Sequence, residues 1–366
     1  MIDSVQPAWL PLLQRPYENL FGPRTVWDLR MANGVAVRIE RGCQGLNNRL
    51  YRVHFDGQVF ACKLFVVDER RRAQREWGAL RSLHASGGRY APEPVSFSQP
   101  GPLPQPVVVS RWVEGQPLAE QALSSADLAG LITALGHIHR TPPAPGIEPL
   151  LAWHQPASLG AYEGEFHAFD EKIEAWISGP GVSVRGLPNW AADLPEMLPA
   201  IVQRLQLAGA AIARWGVSMY YPYPALIRVD GDLENVLRTE TGQIIFMDWE
   251  RSGWGDPAFD LAGWRWHPKG QRISQAHWDT ALASYPVFPD DSTFADRLAL
   301  YSDLLPIWWA GRSTLYLLEG AHQAASQPHV GAVPARMYHS VRRQLDFYLA
   351  ALGLIPALEL AGAEGD

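Results

Sequence analysis

The chain has 366 residues, 47% of them hydrophobic, and a formal charge of −7. That is enough apolar sequence for one large core or two linked ones, while its apolar runs, such as Leu304 to Ala310, fall far short of the roughly 20 residues a membrane helix needs. Two cysteines, Cys43 and Cys62, exclude a disulfide framework and a thiol zinc cluster, and no secretory leader is legible, so a soluble cytoplasmic protein with reduced thiols and no membrane partner is expected.

The charge is unevenly spread. Residues 1–113 hold 15 Lys+Arg against 9 Asp+Glu, and the remainder holds 16 against 29. A cationic first part suits a polyphosphate ligand. An acidic second part suits metal ions or a cationic small molecule and disfavours nucleic acid, although a solvated surface alone produces such a balance too.

In chain order, alternating apolar residues predict strands over Val35 to Ile39, Leu50 to Phe55 and Gln58 to Val66, the last two joined by a hairpin turn at Asp56-Gly57. Between the first two lies Arg41-Gly42-Cys43-Gln44-Gly45-Leu46-Asn47-Asn48, whose glycines, Gly42 and Gly45, let backbone amides approach phosphate oxygens. A plain turn between strands reads the same way. Lys63, late in the third strand, stands out because the chain has only three lysines, Lys63, Lys172 and Lys269, against 28 arginines. A compact ammonium kept on a strand suits the α- and β-phosphates of a nucleotide. The helix that follows, predicted from Asp68 to Ala85, carries Glu76 beside its apolar stripe, where it can turn toward the sheet and pair with Lys63; Glu69 falls in the first turn.

A short strand, Pro106 to Val109, runs into Ser110-Arg111-Trp112-Val113-Glu114-Gly115, where the charge balance changes sign. This is the expected boundary, giving an N-terminal extension over 1–33, a β-rich lobe over 34–113 and a mainly helical lobe over 114–366. Helical periodicity follows at Ala126 to Arg140, Phe166 to Ile177, Leu194 to Ala213 and from Gln275 to Ala351.

The chemistry-bearing segment begins at Arg228-Val229-Asp230-Gly231-Asp232. Asp230 as base places Asn235 at the end of Asp-x-x-x-x-Asn, the interval of phosphoryl-transfer loops, whereas Asp232 as base would put Leu237 where a metal-binding amide belongs. Thirteen residues beyond Asn235, the apolar run Gln243 to Met247 reads as a buried strand ending at Asp248, a second hard-cation ligand. Asp232 and Glu234 add two carboxylates nearby, which a solvated acidic loop explains as well as attraction of a cationic substrate. Of the 15 tryptophans, Trp264, Trp266, Trp308 and Trp309 read as core at helical spacing, with an acceptor wall as the alternative. The histidines, His139 among them, show no metal-ligand spacing and receive no role.

Asp248-Trp249-Glu250 followed by Gly253-Trp254-Gly255-Asp256-Pro257-Ala258-Phe259-Asp260-Leu261-Ala262, with Asn48-Arg49-Leu50-Tyr51-Arg52-Val53 upstream, resembles the aminoglycoside phosphotransferase and choline kinase-like family over roughly Val35 to Trp264. The resemblance implies an α+β, bilobal protein-kinase-like fold and ATP-dependent transfer of the γ-phosphate to a hydroxyl of a small molecule, such as an amino sugar or amino alcohol. ATP and Mg²⁺ are the implied cofactors. Lys63 and Glu76 would serve the phosphates, Asn235 and Asp248 the metal and Asp230 the acceptor hydroxyl, while backbone groups near Arg111 and Val113 would meet the nucleobase. Where the family usually has His-Gly-Asp this chain has Arg228-Val229-Asp230, a changed brace that keeps open a nucleotide-binding pseudokinase or scaffold without turnover.

Overall fold

Alternation in the strand Gln58–Phe65 divides its side chains between two faces. Phe60, Cys62 and Leu64 join a core, while Ala61 and Lys63 face the other way. The computed structural model describes residues 6–18, 25–44, 48–101, 103–152, 159–178, 188–215, 224–326 and 335–356. They fall into two units, one formed by Met1–Gln155, Tyr223–Asp260 and Gln275–Val287, the other by Pro156–Pro222, Leu261–Ser274 and Phe288–Asp366.

The first unit opens with a short helix, α1 (Gln14–Glu18), and continues through β1 (Val26–Arg30), β2 (Ala36–Gln44), β3 (Asn48–Phe55), β4 (Gln58–Phe65), α2 (Arg72–Ala85), β5 (Pro94–Ser98) and β6 (Val107–Arg111). These strands make one antiparallel sheet in the order β1-β2-β3-β4-β6-β5. The β3–β4 turn places Asp56 and Gly57 at φ +50° and +70°, as a two-residue hairpin of right-handed twist requires. One face of the sheet packs Tyr51, Val53, Phe60, Cys62 and Val109 against Trp9, Leu10, Leu13 and Trp27. The segment before residue 34, expected as an extension, thus supplies both an edge strand and part of the core.

Two further differences from the expected elements have local causes. The helix α2 begins at Arg72 and not at Asp68, because Arg71 adopts φ +53° and ends any helix running into it. Asp68 instead accepts from the Arg70 amide at 3.1 Å, so Glu69 lies in the turn ahead of the helix. The strand β5 starts with proline at a sheet edge, where a missing amide costs nothing, and its five residues are too short a run for alternation to mark a strand.

Beyond β6 come β7 (Gln116–Pro117), α3 (Ser125–His139), and, after the intervening second-unit residues, β8 (Ala225–Ile227), β9 (Val236–Arg238), β10 (Ile244–Phe246) and β11 (Gly253–Gly255). Two small sheets, β10-β9-β7 and β11-β8, display the loops between them. Gly115 is required where it stands: a Cβ there would lie 2.9 Å from the Arg238 carbonyl oxygen. The helix α3 starts with a reciprocal cap between Ser124 and Asp127, and Asp127 also pairs with Arg238 at 2.6 Å.

The second unit contains α4 (Leu159–Ser178) and α5 (Leu194–Trp215), which pack on each other, together with α8 (Phe294–Ser326) and α9 (Ala335–Ala351). The helix α6 (Pro257–Trp266) begins in the first unit, and α7 (Gln275–Leu282) packs on α3 there. Trp264 and Trp266 are buried, and the Trp308 indole donates to Glu165 at 2.7 Å. Among the described residues, no helix is long and apolar enough to cross a membrane.

Candidate active site

Lys63 occupies the face of β4 away from the Trp9 core, with cross-strand neighbours Leu50 and Val108. Its Nζ lies 2.7 Å from Glu76 Oε2 and 2.6 Å from Asp248 Oδ1. Burial penalises the ammonium, but the Asp248 and Glu76 carboxylates outweigh that penalty and hold Lys63 above its ordinary pKa, so it stays charged. Burial pushes Glu76 up to about 7, with Lys63 pulling it back. Asp248 is also penalised by burial, yet Lys63 and then Arg228 keep it below the usual carboxylate range.

Two connections fasten α2 to the segment after β10. One is the Lys63-mediated pair of Glu76 and Asp248. The other is a buried ion pair between Arg72 and Glu250, whose carboxylate also accepts from the Asn48 side-chain Nδ2. Arg72 is held a second time by Asp68 at 2.9 Å, and Arg75 donates to the Ser252 carbonyl at 3.1 Å. Asp248 itself sits at φ +55°, and the Met247 amide donates to the Asn235 carbonyl at 2.8 Å, bringing the two expected metal ligands onto adjoining backbone.

The loop after β8 is built on Asp260. Its Oδ1 accepts from the Val229 amide at 2.7 Å and its Oδ2 from the Arg228 amide at 3.2 Å. Val229 adopts φ +68°, a left-handed conformation that a β-branched residue takes only when its surroundings impose it. Arg228 is 1% exposed; its guanidinium lies over Phe246 and Trp249 at 5.1 and 4.9 Å and reaches the Asp248 carbonyl at 3.4 Å. Burial lowers its pKa, and Asp230 heads the carboxylates that oppose this. Arg228 therefore links the loop to the Asp248 segment. Asp232 caps a short 3-10 turn, Leu233–Asn235, by accepting from the Glu234 amide at 2.9 Å, while Glu234 is exposed. Asp230 is half-buried beside it.

The remaining expected residues are less gathered. Gly42 lies within β2 and not in a loop, because pairing continues to Gln44 through an irregularity between Arg41 and Gln44. Gly45 lies outside the described residues. The Arg111 amide is taken by the Glu93 carbonyl at 2.9 Å and the Trp112 amide by Val59 at 3.0 Å, so Val113 is the first connector residue past these bonds.

His139, given no role from its spacing, is buried against Asp260, its Nε2 at 3.0 Å from Oδ2 and its Nδ1 at 2.8 Å from the Tyr285 hydroxyl. Arg72 was also missed. Asp260 and Glu250, the partners that bury them, are 121 and 178 residues away, and the nearby Asp68 reads as an ordinary surface pair for Arg72; burial of a charged residue is visible only once the chain is folded.

Asn235 and Asp248 supply one amide and one carboxylate oxygen, a hard donor set that fits Mg²⁺, which takes one or two carboxylates and completes its shell with phosphate and water. Among the described residues no group of three or more His, Cys, Asp or Glu is disposed to hold a metal by itself.

A model of the phosphotransferase enzyme family matches residues 39–287. A comparison with curated proteins finds no match. Among solved structures, spectinomycin phosphotransferase in complex with ADP and spectinomycin is similar at 13% identity and TM-score 0.60, covering 87% of this chain and 93% of its own. Choline kinase from Cryptosporidium parvum is similar at 12% identity and TM-score 0.52, covering 87% and 92%. Ethanolamine kinase from Plasmodium vivax is similar at 13% and 0.53, covering 87% and 84%. At such identities the likeness concerns the fold, which is the α+β kinase-like arrangement expected from the motifs.

Proposed function

Because the chain belongs to the phosphotransferase enzyme family, we propose that it is an ATP-dependent kinase of a small hydroxylated molecule. The observation that carries this reading is Lys63, held between Glu76 and Asp248 at 2.7 and 2.6 Å. An ammonium held between two carboxylates on a strand is placed to meet phosphate oxygens. Asn235 and Asp248 would hold Mg²⁺, which when bound supplies charge neutralisation to the transferring phosphoryl group. The nucleobase would sit by the connector near Arg111 and Val113, and Gly42 and Gly45 would flank the phosphates.

Asp230 is the base in this reading. It orients the acceptor hydroxyl and takes its proton as the acceptor oxygen bonds to the γ-phosphorus and the bond to the β-phosphate oxygen breaks, releasing ADP. Use of the Asp232 carboxylate as a cap supports Asp230 over its neighbour. Arg228 in place of histidine keeps a buried donor at the loop, and no observation favours the scaffold without turnover.

For the acceptor we propose an amino sugar or amino alcohol. The acidic balance of residues 114–366 supports a cationic molecule, and spectinomycin, choline and ethanolamine are named in the structural neighbours. The test is Mg²⁺-dependent ADP formation over a panel of hydroxylated amines. Asp230→Asn should lower kcat by about 10²–10⁴-fold with nucleotide binding retained. A crippling Asp232→Asn beside a mild Asp230→Asn would reverse the assignment. An acceptor KM indifferent to ionic strength would reduce the acidic balance to surface chemistry.

A further inference from the structure

We infer that residues 141–152 form a strap that positions Glu76, and through it Lys63, by holding α2 from outside the site. The inference rests on the reading of Lys63 and Glu76 as the pair that serves the nucleotide phosphates. The segment carries four prolines, Pro142, Pro143, Pro145 and Pro149. Each fixes its own φ and lacks an amide donor, so the segment is stiff and has few backbone groups to satisfy. It runs back along α2 from the last turn toward the first. The Ala144 amide donates to the buried Ser82 hydroxyl at 3.0 Å, and Ile147 approaches Gly78 so closely that a Cβ there would stand 3.2 Å from its Cγ2. Further on, Arg75 donates to the Leu151 carbonyl and Arg71 pairs with Glu148 at 2.7 Å.

Positions 71, 75, 78 and 82 recur at intervals of four, three and four residues, which makes one stripe of a helix. Glu76, the residue after Arg75, is turned about 100° from that position, so strap and sheet grip α2 on different sides. The strap then joins the segment that carries Asp248. The Trp254 amide donates to the Leu150 carbonyl at 2.8 Å, and the Ala152 amide donates to the Trp254 carbonyl at 3.2 Å. This adds to the Lys63 and Arg72 connections between α2 and the same segment, and unlike them it uses no carboxylate of the site. The difference matters in turnover. In the proposed reaction Asp248 serves the metal and Lys63 the phosphates, which takes away the contact of 2.6 Å between them. Glu76 then needs α2 held by groups the reaction does not use, and the backbone bonds of the strap are of that kind.

The test uses the full chain with two substitutions, each made alone and beside Glu76→Gln. Ser82→Ala removes the acceptor of the Ala144 amide. Gly253→Ala opens the joint with β11, because its Cβ would lie 2.5 Å from the Leu150 carbonyl oxygen and 2.6 Å from the Ala152 amide nitrogen. Either change should lower kcat/KM for ATP by about tenfold in the otherwise wild-type chain and by about twofold or less beside Glu76→Gln, since effects that act through one residue do not add. Amide exchange read by mass spectrometry on the α2 peptide should quicken by about tenfold, with the β1–β2 peptide unchanged. A loop that merely covers the helix would give equal losses in both backgrounds. The inference stands if either variant combines the background-dependent loss with faster α2 exchange, and it is overturned if neither does. Should Gly253→Ala not fold, Ser82→Ala decides alone. If the wild-type chain turns over no acceptor, the proposed function fails, while faster exchange confined to α2, or its absence, still decides whether the strap holds the helix.

Discussion

Substituting Val229 tests whether the loop is strained, as its φ of +68° indicates. Placing an L side chain in the left-handed region costs about 1–2 kcal/mol. Glycine avoids that cost but loses about 0.5–1 kcal/mol more chain entropy on folding. Comparing Val229→Gly with Val229→Ala, and not with the parent, removes the packing of the half-buried isopropyl group from both sides of the difference. The glycine variant should then be the more stable of the two by about 0.5–1 kcal/mol. In an ordinary right-handed or extended position the sign is opposite, with alanine ahead. Urea unfolding of both variants at a common m-value resolves a difference of that size. An alanine variant equal to or more stable than the glycine one would refute the strain, and with it the view that Asp260 holds the loop in a conformation it would otherwise leave.

Other substitutions probe the site's charges. Lys63→Met should abolish productive nucleotide use, and Lys63→Arg should not restore it, because a planar guanidinium cannot replace a compact ammonium between two carboxylates; near-normal turnover in the Arg variant would contradict this. With Glu76 raised to about 7, proton uptake below that pH loosens its hold on Lys63, so kcat/KM should fall on the acid side and Glu76→Gln should lack that limb. The stability sign is the reverse: between 4.5 and about 7 the native state keeps a proton the unfolded chain releases, so this group's contribution declines as pH rises through the window. Glu250→Ala leaves Arg72 buried at 3% side-chain exposure with Asp68 as its remaining carboxylate partner, and denaturation should show a loss somewhat below the roughly 3–5 kcal/mol of a buried charge left wholly unpaired. The paired change Arg72→Met with Glu250→Leu should cost less than Glu250→Ala alone.

What was legible in the sequence followed from how far each signal reaches along the chain. The central strands β3 and β4 announce themselves by alternation over eight residues each, and the Asp230 to Asn235 interval is local, so both were readable. Lys63 and Glu76 lie 13 residues apart, close enough for helical phase to predict their meeting. The edge strands β1 and β5, at five residues each, carry too short a pattern. The start of α2 depended on one backbone angle at Arg71, which no composition reveals. His139, Tyr285 and Arg72 were invisible for another reason: their identities fit a surface as well as an interior, and only tertiary packing removed them from water.

The placement of Trp9, Leu10 and Leu13 against the sheet bears on how the protein can be dissected. Motif recognition begins near residue 35, which invites trimming to that point for expression or crystallisation. Such a fragment would lose the Trp9 ring that lies 5.4 Å from Phe60, the Trp27 edge strand, and the cover over Tyr51 and Val53. It would keep every residue assigned a chemical role yet present a broad wet apolar sheet face and a newly bared strand edge, both prone to self-association. An insoluble or inactive truncation would thus report on the missing wrapper, and not on the motifs it retains.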